Sequence, residues 1–354
     1  MVWSTAEPVP VSDLAAPLPE QLAQQGTVVD LTAAHAVISR LARVETELLD
    51  SAEEPELELL VPSGPPVLRP ASGELASRLH IDVSWLQRII HLLQDRQQIV
   101  LYGPPGTGKT YLARELARHL TDPDAVRLVQ FHPSYSYEDF FEGYRPMKTA
   151  DGTVVFELHP GPLRELAAAA RDDRQRPYLL IIDEINRANL AKVFGELYFL
   201  LEYRNDTIRL QYSPGKPFTL PPNVFLIGTM NTADRSIALV DAAMRRRFAF
   251  VELHPDEPPV CDLLPKWLTA NGKHADERAD LLAALNSEIG AEDRDYKIGP
   301  SYLMTPDAEH DGGLDRIWEY SILPLLEEHY YGRLGRRQVH ERFGLAAIRG
   351  KAAG

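Results

Sequence analysis

Apolar and polar positions along the chain follow two periods, and the places where they change mark its elements. From about Asp82 to Gln97 an apolar face of Trp85, Ile89, Ile90, Leu92 and Leu93 recurs at helical spacing and leads into a β-rich run, Ile99-Val-Leu-Tyr102. Two runs are apolar throughout, Tyr178-Leu-Leu-Ile-Ile182 and Val224-Phe-Leu-Ile-Gly-Thr-Met230, the pattern of parallel strands buried on both faces. Shorter strands are expected at 125–132 and from Phe248, and helices at 111–119, 162–170, 189–203 and 238–244. Alternation after Asp151-Gly152, from Thr153 to Leu158, predicts a hairpin, and Ile208 to Tyr212 with Pro217 to Leu220 predicts a second. Beyond Glu257 four helical segments, near 259–270, 275–289, 313–329 and 336–346, predict a small helical domain.

The first 79 residues read differently. Residues 1–30 are rich in Pro, Ala and Gln, the mark of a weakly ordered leader. Val37, Leu41, Val44 and Leu48 form a helical stripe expected to pack on its own domain, and the acidic and Pro-rich stretch from Glu53 to Pro70 reads as a linker. The expected organisation is therefore an extension over 1–79, an α/β domain over 80–254 and a helical domain over 255–354.

Composition narrows the function classes. The 354 residues carry a net charge of −14, which disfavours broad non-specific binding to nucleic acid. The charge is uneven, since residues 1–79 hold 12 Asp and Glu against 4 Lys and Arg. The N-terminal part is a poor grip for DNA. A single cysteine, Cys261, excludes an internal disulfide or a cysteine-based zinc cluster. With no apolar run near 18 residues, the expectation is a cytoplasmic protein without a membrane span.

Candidate chemistry sits where the strands end. Gly103-Pro104-Pro105-Gly106-Thr107-Gly108-Lys109-Thr110 matches the phosphate-loop pattern G-x-x-x-x-G-K-[ST], placed between a strand and a helix that opens at Tyr111. Its glycines let successive N–H groups face one anion, Lys109 adds a point charge, and Thr110 can ligate Mg²⁺. These nine residues, Gly103 to Tyr111, are the candidate nucleotide contacts. Asp183, at the end of a second buried strand, can hold Mg²⁺, usually through water, and Glu184 can polarise an attacking water. Asn231 ends the third strand and can orient that water. Arg245-Arg246-Arg247 close a helix, and one of them is expected to reach a neighbouring subunit's γ-phosphate.

The order of phosphate loop, acidic strand end, polar strand end and arginine-tipped helix resembles the AAA+ fold, a parallel-sheet αβα core followed by a helical lid. Longer strings narrow the likeness. Phe131-His-Pro-Ser-Tyr-Ser-Tyr-Glu-Asp-Phe140, Gly143-Tyr-Arg-Pro146, Asp183-Glu-Ile-Asn-Arg-Ala-Asn-Leu-Ala-Lys-Val-Phe-Gly-Glu196, Met230-Asn-Thr-Ala-Asp-Arg-Ser236, Asp241-Ala-Ala-Met-Arg-Arg-Arg-Phe248 and Ile298-Gly-Pro-Ser-Tyr-Leu-Met304 together resemble the McrB family. That resemblance implies a ring, a hexamer in family members, that hydrolyses GTP or ATP with Mg²⁺. It also implies an McrC-type endonuclease partner, with DNA engaged through that partner or the ring pore. It further implies that Asn231, Thr232 and Asp234 form a signature loop and that Arg246 and Arg247 bridge subunits. With fewer than about 80 acidic residues ahead of the motor, the target is expected to be read by another subunit, or the motor to serve a related defence system. No N-K-x-D string is present, so the choice between GTP and ATP stays open. A MoxR-like motor that remodels proteins without DNA is the alternative.

Overall fold

The computed structural model describes residues 64–150, 152–233 and 242–353. The leader, the stripe at Val37 to Leu48, Asp151 at the hairpin tip, Asp234 and residues 238–241 of the expected arginine helix lie outside the described residues.

Residues 64–72 run extended and are strapped down rather than loose. Gln94 accepts from the Leu68 N–H at 2.6 Å and donates to the Pro66 carbonyl at 3.1 Å, and Gln87 accepts from the Ala71 N–H at 2.8 Å. The expected linker is thus, from residue 64 on, part of the folded body, and Leu68 is buried in its core. A short helix that the pattern does not announce follows, α1 (Gly73–Leu79), N-capped by Ser72. Next come α2 (Val83–Arg96), β1 (Gln98–Gly103), α3 (Lys109–Leu120), β2 (Val126–Gln130) and a single turn, α4 (Tyr137–Phe140). The hairpin β3 (Glu142–Lys148) and β4 (Val154–Pro160) precedes α5 (Pro162–Asp172) and β5 (Tyr178–Asp183).

The expected long helix over 189–203 is instead two short ones, α6 (Leu190–Phe194) and α7 (Leu197–Leu200), broken at Gly195 and Glu196. Tertiary contacts override the helical pattern here. Gly195 lies against the Tyr137 ring, and the Glu196 carboxylate accepts from the Tyr137 hydroxyl at 2.8 Å and the Gln211 N–H at 2.9 Å. The second hairpin shrinks to two-residue strands, β6 (Ile208–Arg209) and β7 (Pro217–Phe218). Then β8 (Val224–Asn231), α8 (Ala242–Arg247) and β9 (Ala249–Glu252) complete the α/β part.

Five strands form one parallel sheet in the order β2-β5-β8-β1-β9. Side chains alternate across it, so one strand feeds two cores. Ile99 and Leu101 face α1, α2 and α3, where Leu86, Ile90, Leu112 and Leu116 close one layer. Val100, Leu180, Ile182 and Leu226 face α5 and the segment holding Phe140, Phe141 and Phe194, which close the other. Helices on both faces bury the sheet, which is why β5 and β8 read as unbroken apolar runs.

The remaining chain makes a helical unit with its own core of Leu285, Trp318, Ile322, Leu326, Phe343 and Ile348. Its helices are α9 (Leu263–Ala270), α10 (Arg278–Ile289), α11 (Gly313–Ile317), α12 (Leu323–His329), α13 (Arg336–Phe343) and α14 (Leu345–Ala352). The expected helix over 313–329 is continuous but widens to a π turn at Trp318–Ile322. Pro324 explains it, because an α-helix would need an N–H there for the Tyr320 carbonyl.

Candidate active site

The phosphate loop leaves β1, between β8 and β9, at Gly103 and enters α3 at Lys109. Gly106 and Gly108 take φ of 79° and 86°, the left-handed region that a side chain would oppose, and so turn the loop around its own amides. The Lys109 ammonium is buried inside it, donating to the Gly103 carbonyl at 3.0 Å and the Pro104 carbonyl at 2.7 Å. Twelve residues of α3 direct their positive end at the same point.

Beside the loop, parallel register brings the other strand ends into line. Gly103 pairs with Asn231, and β5 ends one strand further on at Asp183. Thr110 Oγ1 donates to Asp183 Oδ1 at 2.7 Å, and the Thr229 hydroxyl donates to the same oxygen. Asn231 Nδ2 donates to Glu184 Oε1 at 2.6 Å, while Arg187 Nε donates to Glu184 Oε2 at 3.4 Å. Glu184 itself sits at φ 53°, ψ 45°, with its N–H 3.3 Å from Thr229 Oγ1. A left-handed glutamate costs of order 1 kcal/mol, and here it turns the carboxylate toward Asn231. Thr232 donates its N–H to the Gly103 carbonyl at 3.1 Å, and its buried hydroxyl has no partner among the described residues.

The fold therefore gathers Lys109, Thr110, Asp183, Glu184, Asn231 and Thr232 at one sheet edge. Sequence reasoning missed Thr229 and Arg187. A threonine inside the apolar run Val224 to Met230 was the available signal for the first, because a hydroxyl in a buried strand needs a partner. A cavity of about 310 Å³ opens beside the loop, lined by Thr107, Tyr111, His80, Ile81, Val260 and Met304 among others. Burial lowers the pKa of the His80 imidazole from its ordinary value. A broader hollow of about 810 Å³, between β4, α5 and the β6–β7 turn, contains none of these groups.

The arginines lie at the other end of β1. The Arg247 carbonyl accepts from Gln98, the first residue of the strand, at 2.8 Å. The six-residue strand runs from that point to Gly103, a rise of about 17 Å. The Arg247 side chain is locked in its own chain, donating to the Tyr198 carbonyl at 3.0 Å, paired with Glu202 at 2.8 Å and stacked over the Tyr198 ring at 4.6 Å. Arg245 and Arg246 are exposed.

A phosphate loop flanked by an acidic and a polar strand end, on a 2-5-8-1-9 parallel sheet capped by a helical unit, defines an AAA+ P-loop NTPase. Residues 98–248 match the AAA domain of the dynein-related subfamily, and residues 277–338 match the alpha-helical lid domain of McrB. In both its AAA domain and its lid the chain is similar to the McrB family. It is 37% identical over 305 residues to the Type IV methyl-directed restriction enzyme EcoKMcrB subunit of Escherichia coli (strain K12), covering 78% of this chain and 64% of that protein. It is 31% identical over 190 residues to the Type II restriction enzyme BsuMI component YdiS of Bacillus subtilis (strain 168), covering 43% of this chain and 55% of that one. The chain thus spans less than two thirds of the length of either relative. A weaker likeness, 26% over 282 residues, runs to Protein sickie of Drosophila melanogaster, covering 74% of this chain and 12% of that protein.

Proposed function

We propose that the protein is a Mg²⁺-dependent GTP or ATP hydrolase that works as the ring-forming motor of a DNA restriction or defence system. One observation carries the hydrolytic part: Asn231 holds Glu184 at 2.6 Å while Thr110, in the first turn of α3, donates to the adjacent Asp183 at 2.7 Å. Glu184 then acts as the base that polarises water, and Asn231 orients both. Lys109 and the loop amides bind the phosphates, with Thr232 at the same edge.

The donor set fits Mg²⁺. Thr110 and Asp183 offer one hydroxyl and one carboxylate, hard oxygens side by side, and no cluster of three His, Cys, Asp or Glu that could hold a metal occurs among the described residues. That suits an ion that keeps most of its waters and takes the rest of its shell from phosphates. Bound there, it would neutralise charge developing on the transferred phosphoryl group. The base would enter the cavity beside Tyr111 and His80.

Active sites shared between protomers are supported by the roughly 17 Å that separates the arginine end of β1 from the loop end. An exposed Arg246 can serve a neighbour, whereas Arg247 is occupied within its own chain. The likeness to two restriction components supports an McrC-like endonuclease partner, with DNA reached through that partner or the ring pore. No described helix is long and apolar enough to cross a membrane.

Phosphate release with GTP and ATP side by side, at several protein concentrations with Mg²⁺, tests this reading. Turnover per protomer that rises with concentration supports a ring with shared sites. Turnover independent of concentration overturns the shared site, and turnover unchanged in Glu184→Gln overturns the catalytic assignment.

A further inference from the structure

The helical lid touches the phosphate loop through its main chain. The Gly299 N–H donates to the Pro105 carbonyl at 3.0 Å, and the Ser301 N–H donates to the Gly106 carbonyl at 3.0 Å. Gly299 takes φ −77°, ψ 160°, an extended geometry open to any residue, so its own backbone does not call for glycine. Its neighbour does. A Cβ at 299 would lie 2.1 Å from the Gly106 carbonyl carbon and 2.3 Å from the Thr107 nitrogen. On the other side of the contact, the Tyr302 ring fills the space where a Cβ on Gly106 would stand, 2.6 Å away.

The same segment is fastened to the lid at both ends by buried polar side chains of α10. Asn286 accepts from the Ile298 N–H at 2.7 Å and donates to the Ile298 carbonyl at 2.9 Å. Arg278, 1% exposed and held by Asp276, donates to the Leu303 carbonyl at 3.0 Å. Residues 298–303 are thus bonded to the lid at their ends and to the phosphate loop in their middle. The flanking cations are turned elsewhere, Lys297 to Asp256 and Arg294 to Glu252 and Glu257.

We infer that Gly299 is a positioning residue that couples the phosphate loop to the lid, so that phosphate binding at Lys109 is transmitted to α10 through the main-chain contacts at Pro105 and Gly106. The inference rests on reading the Lys109 loop as the nucleotide site. Because the link is backbone on backbone, any side chain at 299 parts it while leaving the lid's own core and the catalytic strand ends in place.

Amide hydrogen exchange of the full chain, with and without slowly hydrolysed GTP and ATP analogues in turn, tests the coupling beside a binding titration of the same analogues. In the natural protein, saturating analogue is expected to slow exchange across 278–303 by about tenfold, the worth of one to two backbone hydrogen bonds. In Gly299→Ala the analogue still binds, and that slowing falls below about twofold. Gly350→Ala, with open space around it in the lid, keeps the full response. A full response in Gly299→Ala, or none in the natural protein once analogue is bound, overturns the coupling. Failure of the natural protein to bind either analogue, or equal binding by Lys109→Ala, overturns the nucleotide-site reading instead. Should Gly299→Ala not fold, Asn286→Asp, which cannot donate to the Ile298 carbonyl, carries the same expectation and the same criterion.

Discussion

Asn231 donates a 2.6 Å hydrogen bond to the carboxylate of Glu184 across the ends of two neighbouring strands. The pair fixes the direction of the one carboxylate that is not already shared by Thr110 and Thr229. Glu184→Gln is expected to lower phosphate release by about 10²-fold or more while nucleotide still binds, and Asn231→Ala to lower it by about 10²-fold. Single-turnover phosphate release next to equilibrium binding checks both. A loss of binding in either variant would move these residues from catalysis to substrate affinity.

Lys109 and Thr110 are expected to act earlier, on binding. Nucleotide at about 100 times its dissociation constant should stabilise the natural protein by about 2.7 kcal/mol. Lys109→Ala is expected to abolish the corresponding rise in melting temperature with the fold intact, and Thr110→Val to abolish the part that requires Mg²⁺. Thermal melts with and without nucleotide and Mg²⁺ give the answer.

The two arginines at the end of α8 should separate. Arg247 is packed over Tyr198 and paired with Glu202, so Arg247→Ala is expected to cost about 1–3 kcal/mol of stability. Arg246 is exposed, and Arg246→Ala is expected to leave stability unchanged while lowering turnover by about 10³-fold. Mixing Arg246→Ala with Lys109→Ala protein should restore part of the activity, since each supplies what the other lacks. Melting curves and phosphate release on the single and mixed proteins test this, and a destabilised Arg246→Ala would contradict it.

Acid should loosen the lid before the sheet. The Arg278 guanidinium holds the Asp276 carboxylate below the ordinary range of about 4. The native lid then binds fewer protons than the unfolded chain, so the stability from this pair is complete above about pH 5 and is lost as pH falls through the depressed value. Exchange rates of amides in 278–303, followed from pH 6 to 3, should rise with acid more steeply than those of β5 and β8. Asp276→Asn should remove most of that difference.

Much of the nucleotide-binding domain was legible in the chain because its signals are local. A glycine-rich turn between a strand and a helix, apolar runs that end in carboxylate or amide, and helical periods in the last hundred residues each depend on neighbours in sequence. Other features depend on residues far apart. The break at Gly195 follows from Tyr137, some sixty positions away, and the strapping of residues 64–72 follows from Gln87 and Gln94. The role of Thr229 appears only once β5 lies beside β8.

By itself, then, the sequence determined the class of site, since binding phosphates demands particular residues at close spacing, and it determined which strands would be buried, since their composition permits little else. Tertiary structure decided which groups meet. It brought Asn231 to Glu184, held Arg247 inside its own chain at the far end of β1, and laid Gly299 on Gly106. These contacts join residues 47, 149 and 193 positions apart, and such pairings follow from sheet register and close packing rather than from any pattern along the chain.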